Sequence, residues 1–129
     1  MIFSTAARNA YLDAIDALIN TGAGTAVLEF RTAADAEVAT CNLNNPAFNA
    51  ASGGTMTLDV TTADVKDTSA TGNVTNVSKF VFKDRDGNVV ITGTVAGDGS
   101  GEINLNSTLI TAGAVVQIDS FALTAGNAS

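Results

Sequence analysis

Residues able to do chemistry are few in this chain of 129 residues. It contains no histidine, which removes Ser-His-Asp and Cys-His catalysis and imidazole ligation of a metal. Cys41 is the only cysteine, so no intramolecular disulfide can form. Because apolar residues alternate around it, we expect a small buried side chain rather than a nucleophile. We therefore predict that the protein is not an enzyme and needs no metal or cofactor.

Two short motifs could be read as a calcium site and a phosphate site, but the residues around them disfavour both readings. Asp84 and Asp86 form a fragment of a calcium-binding loop, but an apolar run begins at Val89 where further oxygen ligands would be needed. The glycine-rich segment 97–101 lacks the lysine of a phosphate-binding loop. We expect the first motif to be a hairpin turn and the second a flexible turn.

The segment 74–95 is predicted to form a long β-hairpin around which the chain is organised. Phe80 and Phe82 share one face of its first arm, and two lysines flank Val81 on the other face. The connecting residues 84–87 end in glycine, as a type I turn followed by a left-handed residue requires. One face of this hairpin should therefore lie in the core.

An N-terminal helix is predicted over residues 5–20. Ser4 or Thr5 can cap its first turn, and Gly22 lies where a left-handed C-terminal residue is expected. Apolar residues recur at three- and four-residue spacing and form one stripe. The residues of this stripe are Tyr11, Leu12, Ile15, Leu18 and Ile19. The stripe either packs on the β domain or docks on a partner subunit.

Phe48 is a large apolar residue in the polar segment 45–54, which Pro46 and two glycines interrupt. It either folds back onto the core or anchors a neighbouring chain. Together with the helix stripe, Phe48 completes our set of candidate interface residues.

The remaining chain predicts a mainly β fold, a single β-sandwich of about seven short strands after one N-terminal α-helix. Jelly-roll and immunoglobulin-like topologies are both open. The last strand changes phase, so we expect a bulge near Asp119-Ser120. Residues 61–73 read as a polar loop. The predicted single domain spans 1–129, with the helix and its cap at 1–22, the sandwich at 24–124 and a flexible tail at 125–129.

The formal net charge is −7, with six scattered basic residues. No basic stripe is available to displace counterions from nucleic acid or to bind an anionic membrane, so we expect neither partner. The N-terminus has no signal-peptide pattern, and no apolar run is long enough to span a bilayer. We expect a soluble chain made in a cytoplasm.

Four stretches of the chain together resemble a group of small proteins encoded by tailed bacteriophages. They are STAARNAYLDAIDALINTGAGTAVLEFRT (4–32), LNNPAFNAASGGTMTL (43–58), KDRDGNVVITGTV (83–95) and INLNSTLITAGAVVQIDSFALT (103–124). In that group a helix ending in a GAG-type turn precedes a β domain with a DP-F-ASGG segment. Asn45-Pro46 replaces Asp-Pro here. The resemblance brings no catalytic residues.

This resemblance implies a virion structural protein, most often a capsid decoration or cement protein. Such a protein, made in the host cytoplasm, would bind the outer surface of the mature head and bridge neighbouring major capsid subunits, and it would self-associate as a dimer or trimer. A tail, neck or fibre-associated structural protein is the alternative. A carbohydrate- or receptor-binding virion module is a third reading, which would need exposed aromatic residues or a convincing calcium site.

Overall fold

The computed structural model describes residues 1–97, 100–105 and 107–126, and it confirms a mainly β fold with one helix. Helix α1 spans Thr5–Ile19. The described residues contain nine short strands: β1 (Val27–Thr32), β2 (Glu37–Asn42), β3 (Thr55–Thr57), β4 (Val65–Asp67), β5 (Val77–Lys83), β6 (Val89–Ala96), β7 (Ile103–Asn104), β8 (Val116–Ile118) and β9 (Ala122–Thr124). Part of the turn predicted at 97–101 and most of the tail predicted at 125–129 lie outside the described residues.

Five strands form one sheet in the order β2-β1-β5-β6-β7. Its pairs are antiparallel except β6–β7, which is parallel. Two further antiparallel pairs, β3–β9 and β4–β8, form the second layer. The β4 strand packs against β2, and Cys41 on β2 lies 3.7 Å from the carbonyl oxygen of Val116 on β8, measured from Sγ. The layout is that of a small sandwich.

Four of the six phenylalanines meet between the two layers. Phe80 and Phe82 both point inward from β5, as the alternation predicts, and their rings are 5.7 Å apart. Phe121, between β8 and β9, lies 5.4 Å from Phe82, and Phe48 lies 5.7 Å from the same ring. The ring of Phe80 also covers Gly93 on β6, where any side chain would collide with it. This aromatic cluster is the centre of the core.

The hairpin turn forms as predicted and is held by one carboxylate. Gly87 has φ +87°, and its N–H donates to the carbonyl of Asp84 at 3.1 Å. The Asp84 side chain accepts from the N–H groups of Asp86 and Asn88. The hydrogen bond from the Asn88 backbone is the main reason that the pKa of Asp84 is lowered. Those two bonds go to Oδ1, and the Asn88 side-chain amide donates to Oδ2 at 3.1 Å, so both carboxylate oxygens of Asp84 accept hydrogen bonds within the turn.

The outer face of the large sheet carries a row of ion pairs. The Glu29 carboxylate lies 2.8 Å from the guanidinium of Arg31 and 2.8 Å from the ammonium of Lys83. Burial raises the pKa of Glu29, but the hydrogen bonds and charges of these two cations outweigh it and hold the pKa below its usual value. Lys79 pairs with Asp35 in the same way. The two lysines of the predicted outer face thus have acidic partners.

Three expectations about the C-terminal half are corrected. Residues 61–73 contain the strand β4. The predicted last strand is two strands, β8 and β9, which pair with different partners on either side of Asp119-Ser120, so the change of phase marks a crossing between sheets rather than a bulge. Ala125 is buried, and its N–H donates to the Gly54 carbonyl, so the predicted flexible tail does not begin there.

Candidate interaction surfaces

The predicted interface stripe on α1 divides between the core and the surface. Leu12 and Ile19 are buried, and Ile15 is partly buried against the core. Tyr11 is 63% exposed and Leu18 57% exposed. The helix therefore packs on the β domain through Leu12, Ile15 and Ile19, and the assignment of these three residues to an interface is corrected. Tyr11 and Leu18 stay available on the surface.

The assignment of Phe48 to an interface is corrected as well. Its side chain is 1% exposed and lies in the aromatic cluster with Phe82 and Phe121. It pairs as a single β-bridge with Leu58, next to β3. The helix holds the polar segment 45–54 in place, and Phe48 of this segment can therefore lie in the core.

A ladder of polar side chains on α1 binds this segment. Each of the four accepts one backbone N–H of residues 47–54, at 2.8–3.0 Å. The pairs are Asn9 with Gly54, Asp13 with Ala51, Asp16 with Phe48, and Asn20 with Ala47. Their spacing of four, three and four residues places them on one side of a helix. Sequence reasoning missed this ladder, although the spacing was visible.

Asp16 has the most perturbed environment of the ladder. Burial raises its pKa above the ordinary value, although the hydrogen bonds from Phe48 and Asn20 act in the opposite direction. The carboxylate gives up hydration in order to satisfy a buried backbone donor. This is the cost of holding Phe48 at the core.

The end of the helix is fastened to the hairpin turn. Gly22 has φ +117°, and a Cβ on it would lie 2.6 Å from Asp86. The Arg85 N–H donates to the Thr21 carbonyl at 2.9 Å, and the Gly24 N–H donates to the Arg85 carbonyl at 2.9 Å. Two motifs of the phage-like resemblance, the GAG turn and the DRDG turn, are thus in direct contact.

The first exposed apolar surface is the helix flank, defined as Phe3, Ala7, Tyr11, Ala14 and Leu18. Its residues follow one side of α1 and carry no charge. At the N-terminal end it borders a groove of about 470 Å³ that is also lined by Arg8, Ala125 and Gly126. The Arg8 guanidinium donates to the Ala125 carbonyl at 3.2 Å and lies against Gly54. The groove is therefore closed on one side by ordered backbone.

The second exposed apolar surface is the loop patch, defined as Val74, Leu109 and Val115. Val74 is 97% exposed, and the two others line a shallow pocket of about 280 Å³. The Asn73 N–H donates to the Ile110 carbonyl at 3.0 Å, which joins the two segments that carry the patch. Sequence reasoning did not single out this patch. Its signal was present, since residues 68–78 and 103–118 contain no charged residue in an acidic chain.

The two surfaces lie near different strands of the large sheet. The loop patch is next to β2, because the Gly72 N–H donates to the Val38 carbonyl and Val115 directly precedes β8. The helix contacts β6 and is fastened to the turn before it. Three strand spacings separate β2 from β6, or about 14 Å.

Two properties of the described residues concern the cysteine and metal binding. The Cys41 thiol is buried, and burial raises its pKa to about 12. Within residues 1–97, 100–105 and 107–126, no three acidic or cysteine side chains are grouped to hold a metal ion. The same residues include no helix long and apolar enough to cross a membrane.

Comparisons with known proteins identify no relative, so the functional proposal depends on the exposed surfaces. No protein-family model, no curated protein and no solved structure matches this chain.

Proposed function

We propose that this protein is a phage capsid decoration or cement protein, which binds the outer surface of the mature head and bridges neighbouring major capsid subunits. The observation that carries the proposal is the pair of separate exposed, uncharged apolar surfaces, the loop patch near β2 and the helix flank on α1. A bridging protein needs two contact surfaces, and exposed apolar patches mark such surfaces. The resemblance of the four sequence stretches supports the same role.

The loop patch is the surface that we assign to the capsid. It combines Val74, the most exposed large apolar residue of the described chain, with a shallow pocket and no charged neighbour in sequence. Its apolar area would be buried against a lattice that presents the same site many times. Repetition on one lattice gives strong overall binding from modest individual contacts.

The charge distribution supports a protein partner rather than a nucleic acid. Four of the six basic side chains already form salt bridges with acidic ones. Arg8 and Arg85 each donate to a backbone carbonyl. Few cations therefore remain to contact phosphates, and the net charge of −7 opposes such binding.

Co-sedimentation with phage heads that lack the protein tests the proposal. We expect saturation at hundreds of bound copies per mature head, counted by quantitative mass spectrometry, and no binding to unexpanded procapsids. Val115→Asp should abolish binding, because it places a charge in the loop patch. Thr57→Asp, an exposed change on β3, is the matched control and should bind normally. A few to tens of copies located in tails would favour the tail, neck or fibre role instead.

A further inference from the structure

The groove beside the N-terminal end of helix α1 contains a cation whose charge is unpaired. Arg8 lines this groove of about 470 Å³, and no carboxylate of the described residues forms a salt bridge with it. One guanidinium nitrogen, Nη1, donates to the Ala125 carbonyl at 3.2 Å. A second nitrogen, Nε, is buried and has no hydrogen-bond partner in the described chain. The guanidinium is therefore held in place while its charge remains available to an anion.

A carboxylate is the anion that suits this guanidinium, because arginine and carboxylate form strong charge-assisted hydrogen bonds. The chain provides its own example at Glu29, where Nε and Nη2 of Arg31 donate to one carboxylate oxygen at 3.0 and 2.8 Å. Neither Nε nor Nη2 of Arg8 has an acceptor among the described residues. The groove also lies beside the first turns of α1, where the helix dipole is positive and the first turn contains no acidic residue.

The walls of the groove require that the ligand also has an apolar part. Phe3 is 46% exposed and Tyr11 is 63% exposed, and Ala7 lies between them on the same side of the helix. Ala125 and Gly126 line the groove as well, and Arg8 is the charged side chain among its lining residues. Ligand sites are typically apolar with a few polar groups that fix orientation. The groove therefore favours an apolar group that carries one carboxylate.

The helix flank extends this apolar surface beyond the groove. Tyr11 belongs to both, and Ala14 and Leu18 continue the flank toward the C-terminal end of α1. Leu18 is 57% exposed and lies about 10 Å from Tyr11 along the helix axis, at 1.5 Å per residue. A small acid would fill the groove alone. An extended chain can place its carboxylate at Arg8 and the residues before it along the flank.

Two properties favour the end of a chain over an internal acidic segment. The Ala125 backbone, bonded to Arg8, closes the groove on one side, so a chain can end there more readily than it can pass through. A terminal carboxylate also supplies its single negative charge without acidic side chains. The net charge of −7 would repel a segment that carries several of them.

We propose that the groove and the helix flank bind the carboxyl-terminal end of a partner protein. The terminal carboxylate pairs with Arg8, and the last apolar side chains lie between Phe3 and Tyr11. The use of this site to bridge virion subunits rests on the proposed function, but the binding itself is measured with peptides and without any capsid. A failure of peptide binding would therefore leave the co-sedimentation result standing, and the reverse also holds.

Intrinsic fluorescence tests the proposal directly, because Tyr11 is the only tyrosine and the chain has no tryptophan. The probe is the peptide acetyl-Ala-Leu-Ala-Val-Leu with a free carboxylate, titrated against the same peptide with a carboxyl-terminal amide. We expect a saturable change in fluorescence with the free acid. The amide should bind at least about tenfold more weakly, since it loses the charge-assisted hydrogen bonds to Arg8. Added salt should weaken binding of the acid more than binding of the amide.

Matched substitutions locate the carboxylate. Arg8→Gln should weaken binding of the free acid at least about tenfold and leave binding of the amide nearly unchanged. Arg85→Gln removes the other cation without a salt bridge in the described chain, which lies outside the groove, and should bind normally. Ala7→Glu places a carboxylate in the groove and should abolish binding of the acid. Ala17→Glu, an exposed change on the same helix outside groove and flank, is its control. Because Ala7 is exposed, this pair decides the test if Arg8→Gln does not fold.

Several outcomes would overturn the proposal. They are no saturable binding at millimolar peptide, equal binding of acid and amide, and an equal loss for Arg8→Gln and Arg85→Gln. Hexanoate that binds as tightly as the peptide would identify a free acid as the occupant. An amidated peptide whose only carboxylate is an internal glutamate, binding as tightly as the free acid, would identify an internal segment. Peptide affinity that falls as protein concentration rises would identify a second copy of this chain.

Discussion

The two sides of helix α1 differ in chemistry, and their roles are the reverse of what hydrophobicity suggests. On one side, the polar ladder of Asn9, Asp13, Asp16 and Asn20 binds the backbone of residues 47–54 and fixes the fold. On the other side, the apolar helix flank is exposed. Polar residues bind the loop segment here, and apolar residues of the flank stay exposed.

The reversal has a physical cause. The segment 47–54 forms few sheet hydrogen bonds of its own, so its N–H groups need other acceptors when Phe48 is buried. Side chains at i, i+4, i+7 and i+11 along the helix and its C-cap supply them at the required spacing. The core-facing stripe between ladder and flank is narrow, and it leaves no room at the core for Tyr11 and Leu18.

Phe48→Ala is the largest expected perturbation, because it removes the side chain that the ladder delivers to the core. We expect a loss of about 3–5 kcal/mol in the free energy of unfolding. Urea unfolding followed by circular dichroism measures it. Phe48→Leu retains most of the apolar volume and should lose less. A loss below about 1 kcal/mol for Phe48→Ala would contradict the role of the ladder.

Gly22→Ala probes the junction where the helix meets the hairpin turn. The left-handed backbone costs roughly 1–2 kcal/mol, and crowding of Asp86 adds roughly 1–3 kcal/mol, so the free energy of unfolding should fall by about 2–5 kcal/mol. Gly87→Ala is the matched control, since Gly87 has a similar φ but open space around it. Equal losses for the two variants would show that the contact with Asp86 contributes nothing.

Asp16→Ala tests one rung of the ladder. The Phe48 N–H loses its acceptor, so the free energy of unfolding should fall by about 1–3 kcal/mol. The hydrogen bond from the Ala51 N–H to Asp13 is exposed to solvent, so Asp13→Ala should lower the free energy of unfolding by less. Chemical unfolding of both variants makes the comparison. A larger loss at Asp13 than at Asp16 would contradict a ladder whose importance increases toward the core.

The sequence predicts the hairpin and the inward Phe80 and Phe82 because their alternation is local. It also predicts the helix, which ends at Ile19 rather than at residue 20. It could not decide the fate of Phe48, since burial there depends on acceptors that are provided by a helix far away in sequence. The splitting of the last strand between two sheets is likewise a matter of tertiary pairing. Charge-free runs were a readable signal for the loop patch.

Asp16→Asn tests the buried environment of Asp16 through the pH dependence of stability. Burial raises the native pKa of Asp16 above its ordinary value of 3.8, so the native state binds this proton more tightly than the unfolded chain does. The contribution of Asp16 to stability therefore falls as pH rises from 3.8 through the raised native pKa. Glu29 and Asp84, whose pKa values are lowered, contribute the opposite trend, but they do so equally in both proteins. Stability of wild type minus Asp16→Asn should decrease across this window, and a difference that is flat or rises would contradict the assignment.

Leu18→Ala should have the smallest effect on the free energy of unfolding. Leu12→Ala is the same substitution at a second site of the helix and serves as its comparison. Leu12→Ala removes a side chain that is 2% exposed and should cost about 2–5 kcal/mol, whereas Leu18→Ala should stay within about 0.5 kcal/mol in dilute protein. Chemical unfolding at low concentration measures both, since self-association would otherwise add to the apparent stability. A large loss at Leu18 in the monomer would mean that the helix flank is part of the core. A small loss that grows with protein concentration would mean that Leu18 is covered by a second copy, because only an intermolecular contact makes the effect of a substitution depend on concentration.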